Sequence, residues 1–303
     1  MFARLKMILE MIRFSHTLFA LPFALLSAVM CWTVQDSQGE VPEFRLLDLT
    51  GIVLCMVFAR STAMAFNRIV DRRIDRENPR TSERHIPSGK LSLSSVIGFT
   101  VVNALMFGLA TLFFLPNVLP VILALPVVIV LCLYSYTKRF TSLAHFYLGM
   151  SLMLAPVCTW IAIRGVEIQD NLWDLLPAVV VGFAVLFWVG GFDIIYACQD
   201  TDFDQQAELK SIPVKFGVAR ALQLAAFSHF LMIAALACLA WIPQMNALGW
   251  IYYISVAAVA VLLLVEHALV KPDDLERVNV AFFQINALIS VGLFLIVSID
   301  LLL

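Results

Sequence analysis

The chain has 303 residues, of which 61% are hydrophobic and only 14% are charged. Soluble domains are about 45–50% apolar and about 25% charged, so this surplus of apolar residues indicates a membrane protein. The formal net charge is only −2, and no basic face stands apart from the apolar pattern, which excludes nucleic acid as an expected partner.

Nine apolar stretches approach the roughly 20 residues that a helix needs to cross a bilayer. We predict an all-α polytopic membrane bundle of about nine transmembrane helices, which forms a single domain over residues 1–303. The first stretch follows basic residues but has no clean cleavage site, so we expect a retained helix rather than a signal peptide. The predicted helices span 16–34, 46–66, 95–115, 118–135, 143–163, 173–192, 221–241, 248–268 and 279–301.

The distribution of Lys and Arg predicts the orientation. With a cytoplasmic N-terminus, only Arg45 and Arg164 of the 20 Lys and Arg residues fall on the far side. The connections that follow helices two and six then both face the cytoplasm. Because these connections are long and contain several aspartates, we predict that they close over one site. We expect the protein in the bacterial inner membrane.

The connection after helix two begins with Asn67, Asp71 and Asp75, which are spaced four residues apart. On a helix this spacing places the three side chains on one face. Mg²⁺ prefers oxygen ligands and usually binds one or two carboxylates together with substrate phosphates. We predict that all three are metal ligands, that both aspartates are catalytic and that Arg72 binds a phosphate. A solvated basic helix is the alternative interpretation, and the regular spacing disfavours it.

The connection after helix six repeats this spacing with Asp200 and Asp204, and Tyr196 stands where the first motif has Asn67. We predict Asp200 and Asp204 as catalytic carboxylates and metal ligands. Asp193 lies one further turn into the membrane, seven residues before Asp200, where a carboxylate is costly and is a functional candidate by default. We expect Asp193 and Tyr196 to bind substrate.

A third polar cluster, Tyr134, Lys138 and Arg139, ends the fourth helix on the same side. Two interpretations of this cluster are open: it anchors the helix at the membrane surface, or it binds a diphosphate. The combined pattern favours a reaction in which Mg²⁺ and basic groups stabilise a departing pyrophosphate. The apolar interior would hold a hydrocarbon tail and shield the allylic carbocation from water until an electron-rich ring captures it.

These motifs, together with the run 210–217, resemble the UbiA superfamily of intramembrane aromatic prenyltransferases over nearly the whole chain. The chain is most similar to the 4-hydroxybenzoate polyprenyltransferases. The resemblance implies a nine-helix bundle, Mg²⁺ as cofactor, and a polyprenyl diphosphate and an aromatic acid as substrates in quinone biosynthesis. It also implies that Lys210, in the shared run, binds substrate.

Two segments depart from the common pattern of that family. Asp-Lys-Pro near the first helix is replaced by residues 14–17, and Pro-Gln after Lys-Arg is replaced by Ala144-His145. The run 14–23 is similar to a bacterial subgroup, some of whose members serve menaquinone synthesis by the futalosine route. The acceptor is therefore left open between 4-hydroxybenzoate and a naphthoate-type acid.

Arg13 and His16 lie where the chain departs from the usual pattern, and we predict that they bind the acceptor. The alternative is that Arg13 anchors the first helix and His16 caps it.

A polytopic transporter is the competing function of another class. Transporters place charge near the midplane on broken helices, whereas most charge here lies in loops at one interface.

Overall fold

The computed structural model describes residues 7–8, 10–11, 19–35, 39–275 and 277–303, except for the side chains of residues 280 and 281. Within these ranges the chain forms nine principal helices, as the sequence predicts, and the protein is an all-α membrane bundle. The helices are α1 (Leu21–Cys31), α2 (Leu46–Glu77), α3 (Leu93–Ala110), α4 (Leu119–Thr137), α5 (Ala144–Ile163), α6 (Leu176–Ala197), α7 (Val218–Leu239), α8 (Trp250–Leu269) and α9 (Asn286–Leu302).

Helices α2 to α9, with their flanking turns, are the eight described segments that are long and apolar enough to cross a membrane. The ninth, α1, has 11 residues within the described part of the chain. The predicted first span begins at residue 16, and residues 12–18 lie outside the described ranges. The predicted break between the third and fourth helices is confirmed, since α4 begins at Leu119 after a 3₁₀ turn over Thr111–Phe114.

Helix α2 is longer than its apolar stretch, because it continues to Glu77 instead of ending near residue 66. Residues 67–77 contain no glycine or proline, and the first proline after them is Pro79. At 1.5 Å per residue, the 32 residues of α2 span about 48 Å, against about 30 Å for a hydrocarbon core. The last turns of α2 therefore carry polar side chains beyond the apolar part of the bundle.

Helix α6 is the central helix of the bundle and packs between α5 and α7. Its buried side chains include Val185, Trp188 and Val189, which belong to the largest apolar cluster of the protein. Helices α2, α3 and α4 pack together on the other side of α5, and α4 is largely exposed at the outer face. The helix ends that carry the two aspartate motifs thus meet around α5 and α6.

The connection between α6 and α7 contains three short helical turns: Cys198–Asp200, Thr201–Gln206 and Ile212–Phe216. The second aspartate motif therefore extends over a helix end and a separate turn, not over one continuous helix.

Before α9, the segment Ala281–Ile285 forms a π-helical turn. Glu266 near the end of α8 is buried and accepts a hydrogen bond from Asn286.

Candidate active site

A polar cavity of about 300 Å³ opens at the ends of α2, α4, α5 and α6, beneath the connection that follows α6. The predicted site residues come from three separate segments of the sequence, and most of those described line this one cavity. The predicted residues that line it are Asn67, Asp71, Asp75, Tyr134, Lys138, Asp193, Tyr196, Asp200, Asp204 and Lys210.

Asp71 joins α2 to the end of α4. Its carboxylate lies 2.8 Å from Lys138 Nζ and 3.1 Å from Arg139 Nη2, and Asn67 Nδ2 donates a hydrogen bond to it at 3.0 Å. The Asp71 side chain is only 4% exposed. Lys138 and Arg139 therefore contact a buried carboxylate at the cavity, which simple anchoring at the membrane surface would not require.

Asp75 lies one turn further along α2, on the same face. Arg84 Nη1 lies 2.7 Å from its Oδ1, and Arg68 Nη1 lies 3.9 Å from its Oδ2. Oδ2 is buried and has no hydrogen-bond partner among the described residues. This oxygen is therefore positioned to accept a ligand that the bundle itself does not supply.

Arg80 links the two aspartate motifs. It contacts Asp200 through two nitrogens, with Nε 2.7 Å from Oδ1, and its Nη1 donates to the Tyr196 hydroxyl at 2.7 Å. Burial opposes the charge on Arg80, but the hydrogen bonds and charges of Asp200 and Tyr196 together outweigh it and raise the pKa of the guanidinium. The connection after α2 thus reaches the end of α6, and residues of both aspartate motifs line one cavity.

Asp193 faces His145, the second residue of α5. His145 Nδ1 lies 2.7 Å from Asp193 Oδ2, and both residues line the cavity. The sequence identified Asp193 from its depth in the membrane, but it did not identify His145 as a site residue. The only indication for His145 in the sequence was that Ala144-His145 replaces the Pro-Gln of the family pattern.

The sequence also missed most of the cations that surround the carboxylates. Arg68, Arg80 and Arg84 all line the cavity, yet the positive charge of their segment is equally explained by membrane orientation. A useful signal was the run of basic residues directly after the first aspartate motif, since buried carboxylates need cationic partners.

The structure does not bring Arg72 to the cavity. Its Nη1 donates to the Ile69 carbonyl at 2.7 Å, within its own helix. Arg72 follows Asp71 directly, and successive residues on a helix are about 100° apart, so the two point to different faces. Arg13 and His16, which were predicted to bind the acceptor, lie outside the described residues.

A second cavity of about 200 Å³ extends into the bundle between α2, α3, α4 and α5. Its walls are mainly apolar and include Ile52, Phe107, Phe114 and Leu131. Residues shared with the polar cavity mark where the two spaces meet. The shared residues are Arg60, Met64, Asn67, Tyr134, Leu148 and Leu152.

The polar cavity has the donor chemistry that Mg²⁺ prefers, which is carboxylate and amide oxygen. The buried Oδ2 of Asp75, which accepts no hydrogen bond from the described residues, is a specific point where the residues fit a hard cation. Among the described residues, no three His, Cys, Asp or Glu side chains converge on one point as a preformed metal site. A bound Mg²⁺ would therefore take further oxygens from water or from substrate phosphates, as it usually does.

Residues 20–288 match the family model described as the UbiA prenyltransferase family. The chain belongs to this family. It is therefore a membrane prenyltransferase, and this assignment argues against the transporter alternative.

Individual relatives agree with the family assignment. A 4-hydroxybenzoate octaprenyltransferase from Vibrio parahaemolyticus is 27% identical over 266 residues, which cover 86% of this chain and 88% of the relative. The apo structure of a UbiA homolog from Aeropyrum pernix K1 has a TM-score of 0.77 at 26% identity, and the match covers 95% and 97% of the two chains. A UbiA homolog from Archaeoglobus fulgidus bound to GPP and Mg²⁺ has a TM-score of 0.68 at 18% identity. The match covers 96% of this chain and 99% of the homolog, and it supports the fold.

Proposed function

We propose that this prenyltransferase transfers a polyprenyl group from polyprenyl diphosphate to an aromatic acid in quinone biosynthesis, with Mg²⁺ as cofactor. The observation that carries the proposal is the junction of a charged cavity with an apolar one at Asn67 and Tyr134. A molecule with a diphosphate head and a hydrocarbon tail matches both spaces at once. The 4-hydroxybenzoate octaprenyltransferase relative is consistent with this substrate class.

The diphosphate is proposed to bind in the polar cavity. Mg²⁺ held by Asn67, Asp71, Asp75, Asp200 and Asp204 would supply positive charge that stabilises the departing pyrophosphate. Arg80 and Lys138 already stand beside these carboxylates, at distances typical of charge-assisted hydrogen bonds. We propose that both side chains also contact phosphate oxygens of the bound diphosphate.

The hydrocarbon tail is proposed to lie in the apolar cavity. Cleavage of the C1–O bond leaves an allylic carbocation, and pyrophosphate departs with the electron pair. The apolar walls exclude water from this cation, so that the aromatic ring captures it rather than water. A ring carbon then forms the new bond to C1 and loses a proton.

Arg60 is the proposed partner for the carboxylate of the acceptor. It lies on α2 at the junction of the two cavities, on the helix face that also carries Met64 and Asn67. A carboxylate brought into an apolar bundle needs a paired cation, and Arg60 offers one close to the bound tail. A 4-hydroxybenzoate and a naphthoate-type acid both carry this carboxylate, so both acceptors remain in the proposal.

The proposal is tested by incubating the purified protein in lipid nanodiscs with labelled polyprenyl diphosphate and a panel of aromatic acids. We expect a prenylated acid that forms with Mg²⁺ and is lost in excess EDTA. In the variant Arg60→Met, the KM for the acid should rise much more than the KM for the diphosphate. Failure to prenylate any hydroxybenzoate or dihydroxynaphthoate would reject aromatic transfer, and full turnover in EDTA would reject the metal.

A further inference from the structure

His145 and Asp193 form a hydrogen-bonded pair in the wall of the polar cavity, and the chemistry above assigns no role to it. His145 Nδ1 and Asp193 Oδ2 are 2.7 Å apart. The His145 side chain is 5% exposed, whereas the Asp193 side chain is 19% exposed. The imidazole is therefore buried behind a carboxylate that the cavity can reach.

The second nitrogen of His145 fixes the tautomer. The backbone N–H of Ile212 donates to His145 Nε2 at 3.4 Å. A ring nitrogen that accepts from a peptide N–H has a free lone pair, so the ring proton is on Nδ1 and is donated to Asp193. Asp193 thus accepts a hydrogen bond from a ring whose orientation is set by the segment that follows the second aspartate motif.

Of the other four carboxylates that line the cavity, three contact a cation, and the fourth, Asp204, lies in the connection after α6. Asp71, Asp75 and Asp200 each contact at least one Lys or Arg within 3.1 Å. A neighbouring cation stabilises the ionised form of a carboxylate and makes it a weaker base. Asp193 instead has the His145 imidazole in this role, and no Lys or Arg contacts it among the described residues.

Position also distinguishes Asp193 from the aspartates of the second motif. It precedes Asp200 by seven residues, which places it about 10 Å deeper along the helix axis. This depth brings it towards the junction with the apolar cavity, which Tyr134 lines on both sides. A ring that captures a carbocation at the junction would be close to Asp193.

We propose that Asp193 is the base that removes the proton from the aromatic acceptor, and that His145 is its positioning residue. This inference rests on the proposed function. When the ring carbon has bonded to C1 of the prenyl group, it releases its hydrogen as a proton to Asp193. The electrons of that C–H bond restore the aromatic ring. Asp193 then passes the proton to pyrophosphate or water, and no group is oxidised or reduced.

The first test uses Asp193→Asn, which keeps the size of the side chain and removes the base. We expect the rate of aromatic prenylation to fall by roughly 10²-fold or more, as loss of a general base typically causes. Deprotonation should become rate-limiting, so an acceptor deuterated at the reacting carbon should show a larger isotope effect than with the wild type. Prenyl alcohol should also form in greater proportion, because water captures cations that do not complete transfer.

The second test compares two substitutions of His145. His145→Gln retains an N–H donor and an acceptor oxygen, and should keep most of the activity. His145→Leu removes both, and should reproduce the isotope effect of Asp193→Asn in a weaker form. The matched control is His229→Gln, which alters another buried histidine that bonds to His267 outside the cavity. The control should lower thermal stability at most and leave the isotope effect unchanged.

The outcomes separate this inference from the proposed function. If the wild type prenylates no aromatic acid, the proposed function itself fails. If the wild type is active but Asp193→Asn keeps its rate, or loses rate with the wild-type isotope effect, Asp193 is not the base. If His145→Gln and His145→Leu behave alike, the hydrogen bond to Asp193 has no role in positioning. Should His145→Leu not fold, Asp193→Asn and His145→Gln still decide the matter.

Discussion

Gly149 of α5 lies directly against the backbone of Leu186 in α6. A Cβ at position 149 would be 2.3 Å from the Leu186 carbonyl oxygen, a separation that real side chains do not reach. Small residues of this kind let membrane helices approach closely. His145 lies one turn before Gly149, on the side of the polar cavity, and there it contacts Asp193. The close approach of the two backbones therefore sets the geometry of the cavity wall.

Gly149→Ala should separate α5 from α6. We expect a loss of about 1–3 kcal/mol in stability, as overpacking typically causes, together with reduced activity. The control is Gly108→Ala in α3, where an added Cβ meets open space. There the substitution should be neutral or should stabilise the helix by up to about 1 kcal/mol. Thermal unfolding of both variants in the same detergent checks this, and equal melting temperatures would contradict the packing argument.

The sequence predicted those parts of the site that follow from local periodicity. A spacing of four on a helix was enough to place Asn67, Asp71 and Asp75 on one face, and all three line the cavity. Arg72 shows the limit of that reasoning, because a neighbour in sequence points to another face of the helix. The end of α2 was also missed, since the apolar pattern stops before the helix does.

Contacts between distant segments could not be predicted in the same way. Arg80 and Asp200 are 120 residues apart, and His145 and Asp193 are 48 apart. No periodicity relates such positions. The packing of α5 against α6 brings His145 to Asp193, and the path of the connection after α2 brings Arg80 to Asp200. The set of electrostatic partners that the sequence predicted for the aspartates was therefore incomplete.

The four motif aspartates should each be needed for turnover. We expect Asp71→Ala, Asp75→Ala, Asp200→Ala and Asp204→Ala to lower kcat by roughly 10²-fold or more, as removal of one group from a preorganised electrostatic site does. The bundle should still fold, because these side chains lie outside its apolar core. Assays in detergent, with thermal unfolding as the control for folding, test the prediction. Near-normal rates in two of the four variants would reject the metal-site assignment.

Arg80 and Arg72 form a matched pair for testing the cavity. Both are arginines of the same basic segment, but Arg80 contacts Asp200 whereas Arg72 bonds to its own helix. Arg80→Gln leaves Asp200 without its cation and removes a proposed phosphate partner. We expect it to lower kcat/KM for the diphosphate by roughly 10- to 100-fold, from the loss of about 1.5–3 kcal/mol for a charged hydrogen bond. Arg72→Gln should change kcat/KM little. Equal losses in the two variants would show that the position of Arg80 beside Asp200 does not account for its effect.

The sidedness of the site can be tested by labelling single cysteines. The contact between Arg80 and Asp200 places Ser88 and Gln206, which are both exposed, in connections at one end of the bundle. Asn246 is exposed in the connection between α7 and α8, at the other end. The excess of Lys and Arg at the first end predicts that it faces the cytoplasm.

The experiment requires a background in which the six native cysteines are replaced, since none is in a disulfide among the described residues. In intact cells, a membrane-impermeant maleimide should label Asn246→Cys but neither Ser88→Cys nor Gln206→Cys. After lysis, all three should react, because each side chain is exposed. Labelling of Ser88→Cys and Gln206→Cys in intact cells would invert the predicted orientation and leave the single site intact. Labelling of only one of these two would mean that the connections lie on opposite sides, and the carboxylates could not then close over one diphosphate.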